Sequence, residues 1–159
     1  MSLFPEEDID ALFLSRSDSE ELLGTCSNHS IELEGQVWPT VEHYFQASKF
    51  ANDPAYQEKI RNAATPQQAH KLGESWLKRK RKDWKQVREV IMTRGVYIKC
   101  RTYPQIAAQL LETGDQRLVE NSQYDYFWGC GRDRRGENRY GAVLMNVRSK
   151  LRAEAAENN

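Results

Sequence analysis

The chain has 159 residues, with 23 basic against 23 acidic side chains and 39% hydrophobic residues. That length suits one domain with a real core, and a formal net charge of zero gives no overall field for nucleic acid or acidic membranes, so any polyanion contact has to be local. No apolar run is long enough to span a bilayer, the N-terminal stretch Met1-Ser2-Leu3-Phe4-Pro5-Glu6-Glu7-Asp8 is acidic where a signal peptide is basic, and Cys26, Cys100 and Cys130 are odd in number without zinc or dithiol spacing. A cytoplasmic protein with reduced thiols is expected, with no membrane partner, no metal and no cofactor.

In chain order, Pro5-Glu6-Glu7-Asp8 resembles a helix start, while Leu12-Phe13-Leu14 reads as a strand. Ser30-Ile31-Glu32-Leu33 and Gln36-Val37-Trp38 alternate around the turn dipeptide Glu34-Gly35, which predicts a short hairpin. Thr40 is placed to cap a helix running to about Phe50, with Glu42 in its first turn. Asp53-Pro54 and Thr65-Pro66 open two short helices, the second with Gln68 at the capping-box position. From Asp83 a longer core helix carries Trp84, Val87, Ile91 and Ile98, with Gly95 allowing close packing, and Met92 joins Trp84 in the core. Pro104 opens the next helix, which Gly114 ends, and residues 117–120 suit a short strand. The stretch 121–139 mixes aromatics, glycines and charges without a period, and Tyr140, Leu144, Val147 and Leu151 then mark a last helix that frays over 153–157. The expected fold is mainly α with minor β, a single multihelical domain over 1–159 with a short N-terminal hairpin or small sheet.

On the helix after Thr40, Glu42, Gln46 and Lys49 share one face. Polar side chains on one face are usually only solvated. Here Trp38 and Tyr44 lie beside them, and the aperiodic loop adds a second carboxylate, Asp125, next to Trp128. Two carboxylates flanking an aromatic suit cleavage at an anomeric carbon, whose oxocarbenium-like transition state needs a negative neighbour, a base for water and a stacking platform. Glu42 is kept ionised if Lys49 pairs with it, or pushed up if buried against Trp38, and the two outcomes give it opposite roles as base or acid. Lys49 is a nucleophile only if desolvated. Gly129, Gly131 and Gly136 with Asn138 and Arg139 suit a phosphate or a sugar edge, although an ordinary surface loop is as good a reading and no P-loop is present. The basic run 78–82 reads first as a solvated approach to a helix, and His29, His43 and His70 have no metal spacing.

Trp38-Pro39-Thr40-x-Glu42-His43-Tyr44-Phe45-Gln46-Ala47-x-Lys49-Phe50, Asp83-Trp84, Leu110-Leu111-x-Thr113-Gly114, Leu118-Val119-Glu120, Asp125-x-x-Trp128-Gly129-x-Gly131 and Asn138-Arg139-x-Gly141-x-x-Leu144-Met145-x-x-Arg148 resemble, in the same order, the YbiA-like or NADAR domain family over about 27–152. The resemblance implies a mostly helical fold and action on N-glycosidic bonds of ribose-type compounds. Members of this length resemble an N-glycosidase that releases ribose 5-phosphate from phosphorylated ribosylaminopyrimidine intermediates of riboflavin biosynthesis; others remove ADP-ribose from guanine. By resemblance, Glu42, Asp125 and Lys49 are the catalytic candidates, with Lys49 in a Schiff-base or electrostatic role. Trp128, Trp38, His43, Gln46, Gly129, Asn138 and Arg139 would bind a small phosphorylated ribosyl substrate. Nucleic acid is a partner only under an alternative, hydrolysis of ADP-ribosyl-guanine; a further alternative is a nucleotide-binding module without turnover. The sequence departs from the family pattern at His29, Cys100 and Tyr140, where Phe, Phe and Leu are usual.

Overall fold

The computed structural model describes residues 10–159, so the helix start at residues 5–8 lies outside the described residues. Two short strand pairs and six helices follow in the order β1 (Leu12–Leu14), β2 (Ile31–Leu33), β3 (Gln36–Trp38), α1 (Val41–Ser48), α2 (Pro54–Arg61), α3 (Pro66–Gly73), α4 (Trp84–Thr102), α5 (Pro104–Glu112), β4 (Leu118–Glu120) and α6 (Arg139–Glu157). The mainly helical reading with minor strand holds.

Local chemistry sets most of these boundaries. Glu34 and Gly35 both take positive φ, 57° and 75°, which turns β2 tightly into antiparallel β3. Thr40, Asp53 and Thr65 each accept a first-turn N–H of the helix that follows, from His43, Tyr56 and Gln68. Gln68 reaches back to the Ala64 N–H at 3.1 Å, one residue before the cap that a capping box would use. Helix α4 ends before Pro104, which starts α5. The end of α6 does not fray at 153: Glu154 accepts hydrogen bonds from Tyr97 Oη (2.6 Å) and Arg101 (3.4 Å) on α4, and the helix continues to Glu157.

Helix α1 is the hub. Every residue from Val41 to Ala47 is buried, and α2, α3 and α4 all pack on it. Gly95 lets α4 approach, since a Cβ there would lie 3.0 Å from Val41 Cγ1 and 3.1 Å from Tyr44 Cδ1. The parallel pair β1–β4, with Leu12 opposite Leu118 and Leu14 opposite Glu120, brings distant parts of the chain together. Residues 121–138 form neither helix nor strand, yet backbone bonds such as Glu137 N–H to Tyr126 O (2.9 Å) and Arg139 N–H to Phe127 O (2.9 Å) lace the loop to itself.

Candidate active site

Glu42 sits in the first turn of α1 and is 1% exposed. Its backbone N–H, one of the donors a helix start leaves open, goes to the Thr25 carbonyl at 3.0 Å. Its carboxylate accepts four bonds: Arg16 Nη1 (3.0 Å) and Thr25 Oγ1 (2.6 Å) on Oε2, Gln46 Nε2 (2.7 Å) and His70 Nδ1 (3.0 Å) on Oε1. Both Oε1 partners are donors, which assigns the His70 proton to Nδ1. Burial alone would push this carboxyl up; the Arg16 guanidinium and the hydrogen bonds from His70, Thr25 and Gln46 reverse it and hold the group far below the usual carboxylate range. Glu42 is therefore an anion at neutral pH, and Arg16, rather than Lys49, keeps it so.

Arg16 follows β1 closely and is positioned from both sides. Its N–H donates to Glu120 Oε1 at 3.2 Å, and its carbonyl accepts the Thr25 N–H at 2.9 Å. The guanidinium lies 6.0 Å from the centroid of Trp128 and 5.9 Å from that of Tyr140.

Above Glu42 opens a cavity of about 530 Å³. Arg16, Gln46 and His70 line it, so Glu42 lies just behind its floor. One wall is an aromatic row: Phe45 packs on Trp84 (5.1 Å between centroids) and on Trp128 (5.5 Å), and Phe127 packs on Trp128 (4.7 Å). Asp125 lines the cavity beside this wall, its Oδ1 accepting the N–H groups of Phe127 (3.0 Å) and Trp128 (2.7 Å). Lys49 also lines it and donates to Glu74 Oε1 (2.8 Å) and the Gly73 carbonyl (3.4 Å). Burial lowers the Lys49 ammonium from its ordinary value, and Glu74 opposes that shift. Basic side chains dominate the lining, seven against two acidic, with Lys80, Arg81, Lys82, Lys85 and Arg88 along the mouth.

Glu42, Gln46, Lys49, Asp125 and Trp128 are thus brought together. Five other sequence candidates are not. Trp38 lies on the opposite side of α1, against Tyr44, with its indole N–H bound to the Leu33 carbonyl at 3.1 Å. His43 is a latch: Thr40 Oγ1 meets its Nδ1 at 2.8 Å, and its Nε2–H reaches the Ala63 carbonyl at 3.0 Å. Asn138, in the left-handed region at φ 51°, spends its side chain on the Glu120 N–H and the Leu118 carbonyl, both at 2.9 Å. Arg139 pairs with Glu89. Gly129 lies inside the loop, where its carbonyl accepts the Asn138 N–H at 3.0 Å and its backbone does not line the cavity. Sequence reasoning misses Arg16, Thr25 and His70, and Trp84, expected in the core, is both core and cavity wall.

A fixed charge lies beneath an aromatic-walled, cation-rimmed cavity, an arrangement whose chemistry suits a compact, ring-bearing anion. The chain belongs to the NADAR domain family, which matches residues 3–152. It is 44% identical over 128 residues to an N-glycosidase of Nostoc punctiforme, covering 79% of this chain and 82% of that one. It is 41% identical over 129 residues to a riboflavin biosynthesis protein of Vibrio vulnificus, covering 81% of this chain and 35% of that longer protein. The NMR structure of the Escherichia coli protein YbiA superimposes with a TM-score of 0.81 at 31% identity, covering 99% of this chain and 96% of that one. Among the described residues no helix is long and apolar enough to cross a membrane.

Proposed function

We propose that this NADAR-family member is an N-glycosidase that hydrolyses the C–N bond of phosphorylated ribosylaminopyrimidine intermediates of riboflavin biosynthesis and releases ribose 5-phosphate. The names of its relatives support the reaction class, and one observation carries the chemistry: a carboxylate 1% exposed, held ionised behind the floor of an aromatic-walled cavity that Asp125 also lines. The heterocycle stacks on Trp84 or Trp128. As the C–N bond lengthens, positive charge grows at the anomeric carbon, and the Glu42 anion lowers its energy through a region of low dielectric. Asp125, whose Oδ2 is outside the turn that engages Oδ1, takes a proton from the attacking water; the oxygen bonds to the anomeric carbon and the proton passes on to the departing amine. Because Glu42 is ionised at neutral pH, it is not the acid of this reaction.

Release of ribose 5-phosphate from the aminopyrimidine nucleotide tests the reading. Asp125→Asn is expected to lower turnover by about 10²- to 10⁴-fold. Turnover like that of the unaltered protein would remove Asp125 as the base, and no product from the unaltered protein would remove the reaction. Lys49, engaged by Glu74, takes an electrostatic role, so borohydride added during turnover leaves the protein mass unchanged. A reduced adduct on Lys49 would restore the Schiff-base alternative. A second reading, hydrolysis of ADP-ribosyl-guanine, is favoured by the basic residues Lys80, Arg81 and Lys82 at the mouth, and modified oligonucleotides in the same assay compare the two.

A further inference from the structure

The cations that line the cavity fall into two groups, paired and unpaired. Arg16 is paired with Glu42, Lys49 with Glu74, and Arg81 with Asp83. Among the described residues, the side chains of Lys80, Lys82, Lys85 and Arg88 form no ion pair, although all four line the same cavity. The two carboxylates of the lining are elsewhere engaged, Glu74 by Lys49 and Asp125 by the turn at Phe127 and Trp128. Arg88 is the most constrained of the four. Its guanidinium carbon lies 3.3 Å from the centroid of the Phe127 ring, and its Nε is buried with no acceptor. A buried donor left open is costly to the fold, and a guanidinium fixed flat on a ring keeps its remaining donors in the plane that suits a phosphoryl group.

We propose that Arg88, with Lys82 and Lys85, forms the seat for the phosphoryl group of the substrate, and that this seat, rather than the Asn138–Arg139 segment, makes the enzyme select phosphorylated glycosylamines. The inference rests on the N-glycosidase reading for its substrate. It also connects binding to chemistry, because Phe127 is two residues from Asp125 and adjacent to Trp128. A phosphoryl group that fixes Arg88 fixes the ring beneath it, and so steadies the loop that carries the base and the stacking platform.

The test compares kcat/KM for the phosphorylated substrate and its dephosphorylated counterpart, and separately measures inorganic phosphate binding by calorimetry. The unaltered protein is expected to favour the phosphorylated form by at least about tenfold for each charge-assisted hydrogen bond that the phosphoryl group accepts. In Arg88→Ala that preference should shrink by about ten- to a hundredfold, and phosphate binding should weaken in parallel. Lys82→Ala/Lys85→Ala, at exposed positions where folding is not at stake, should also reduce both. Arg88→Lys keeps the charge but not the planar stack, so it should recover KM more than kcat. An unchanged preference in both alanine variants overturns the seat. Phosphate binding lost in these variants while the unaltered protein cleaves neither substrate would sink the N-glycosidase reading and leave the anion seat standing.

Discussion

At the scale of single residues, the site turns on one buried ion pair. Arg16 and Glu42 meet at 3.0 Å with side chains 11% and 2% exposed, so removing either leaves the other charged and largely stripped of water. Arg16→Ala should therefore cost about 3–5 kcal/mol of stability, far more than loss of a surface pair. Replacing both partners, Arg16→Met with Glu42→Gln, should cost less than the sum of the two single changes, because neither charge is then left alone. Equilibrium urea unfolding of the three variants measures this. Additive costs would mean that the two groups do not act as a pair. The same pair explains why Arg16 is not legible in the sequence: it lies 26 positions from Glu42, in a polar segment with no period, and only the fold joins them.

At the scale of elements, much is legible and one thing is systematically not. Helix starts at Thr40, Asp53, Thr65 and Pro104 are readable because caps and prolines act within four residues. The stripe Glu42, Gln46, Lys49 also holds as a stripe. Periodicity does not say which side of an all-round buried helix meets the cavity, and that is why Trp38, which packs on Tyr44 on the opposite side of α1, and His43, which turns to the Ala63 carbonyl, read as site residues. Helix α3 supplies what α1 lacks. His70 reaches Glu42 from it, and its last residue, Gly73, clears space for Gln46: a Cβ there would fall 1.9 Å from Gln46 Oε1 and 2.8 Å from its Cβ. Gly73→Ala should therefore cost about 1–3 kcal/mol, because turning the Gln46 amide away relieves the Oε1 contact while the Cβ contact still pushes α3 from α1. Turnover should fall about tenfold or more as Gln46 is forced off Glu42, a loss comparable to one oriented hydrogen bond to a charge. In a Gln46→Gly background, which removes the Cβ as well as the amide, the added methyl group should have little further effect on turnover. A full additional loss there would place the defect outside the Gly73–Gln46 contact.

At the scale of the whole molecule, the site draws on Arg16 after β1, on α1, α3 and α4, and on the loop before α6, so no fragment of the chain holds it. Parallel pairing of β1 with β4 closes a long stretch of chain, and the Asn138 bridge between Leu118 and Glu120 locks the loop onto that pair. Such long-range closure leaves no local signal, and Asn138 consequently reads as a ligand residue when it is a brace. Acid should expose how much of the assembly depends on Glu42. Its carboxyl is held below the ordinary value of 4.5 in the folded protein, so the stabilisation is fully present above that value and is lost as pH falls toward the depressed folded value. Glu120 acts in the opposite sense, because burial raises its carboxyl and ionisation disfavours the fold as pH rises. Comparing the unaltered protein with Glu42→Gln removes that opposing contribution, since Glu120 is common to both. The gap in unfolding free energy should be about 3 kcal/mol at pH 7, the cost of leaving Arg16 uncompensated, and should narrow steadily between about pH 5 and pH 3. Urea unfolding at half-unit steps across that range measures it, and a gap that stays constant down to pH 3 would show that the Glu42 charge is not what holds Arg16 and the two halves of the site together.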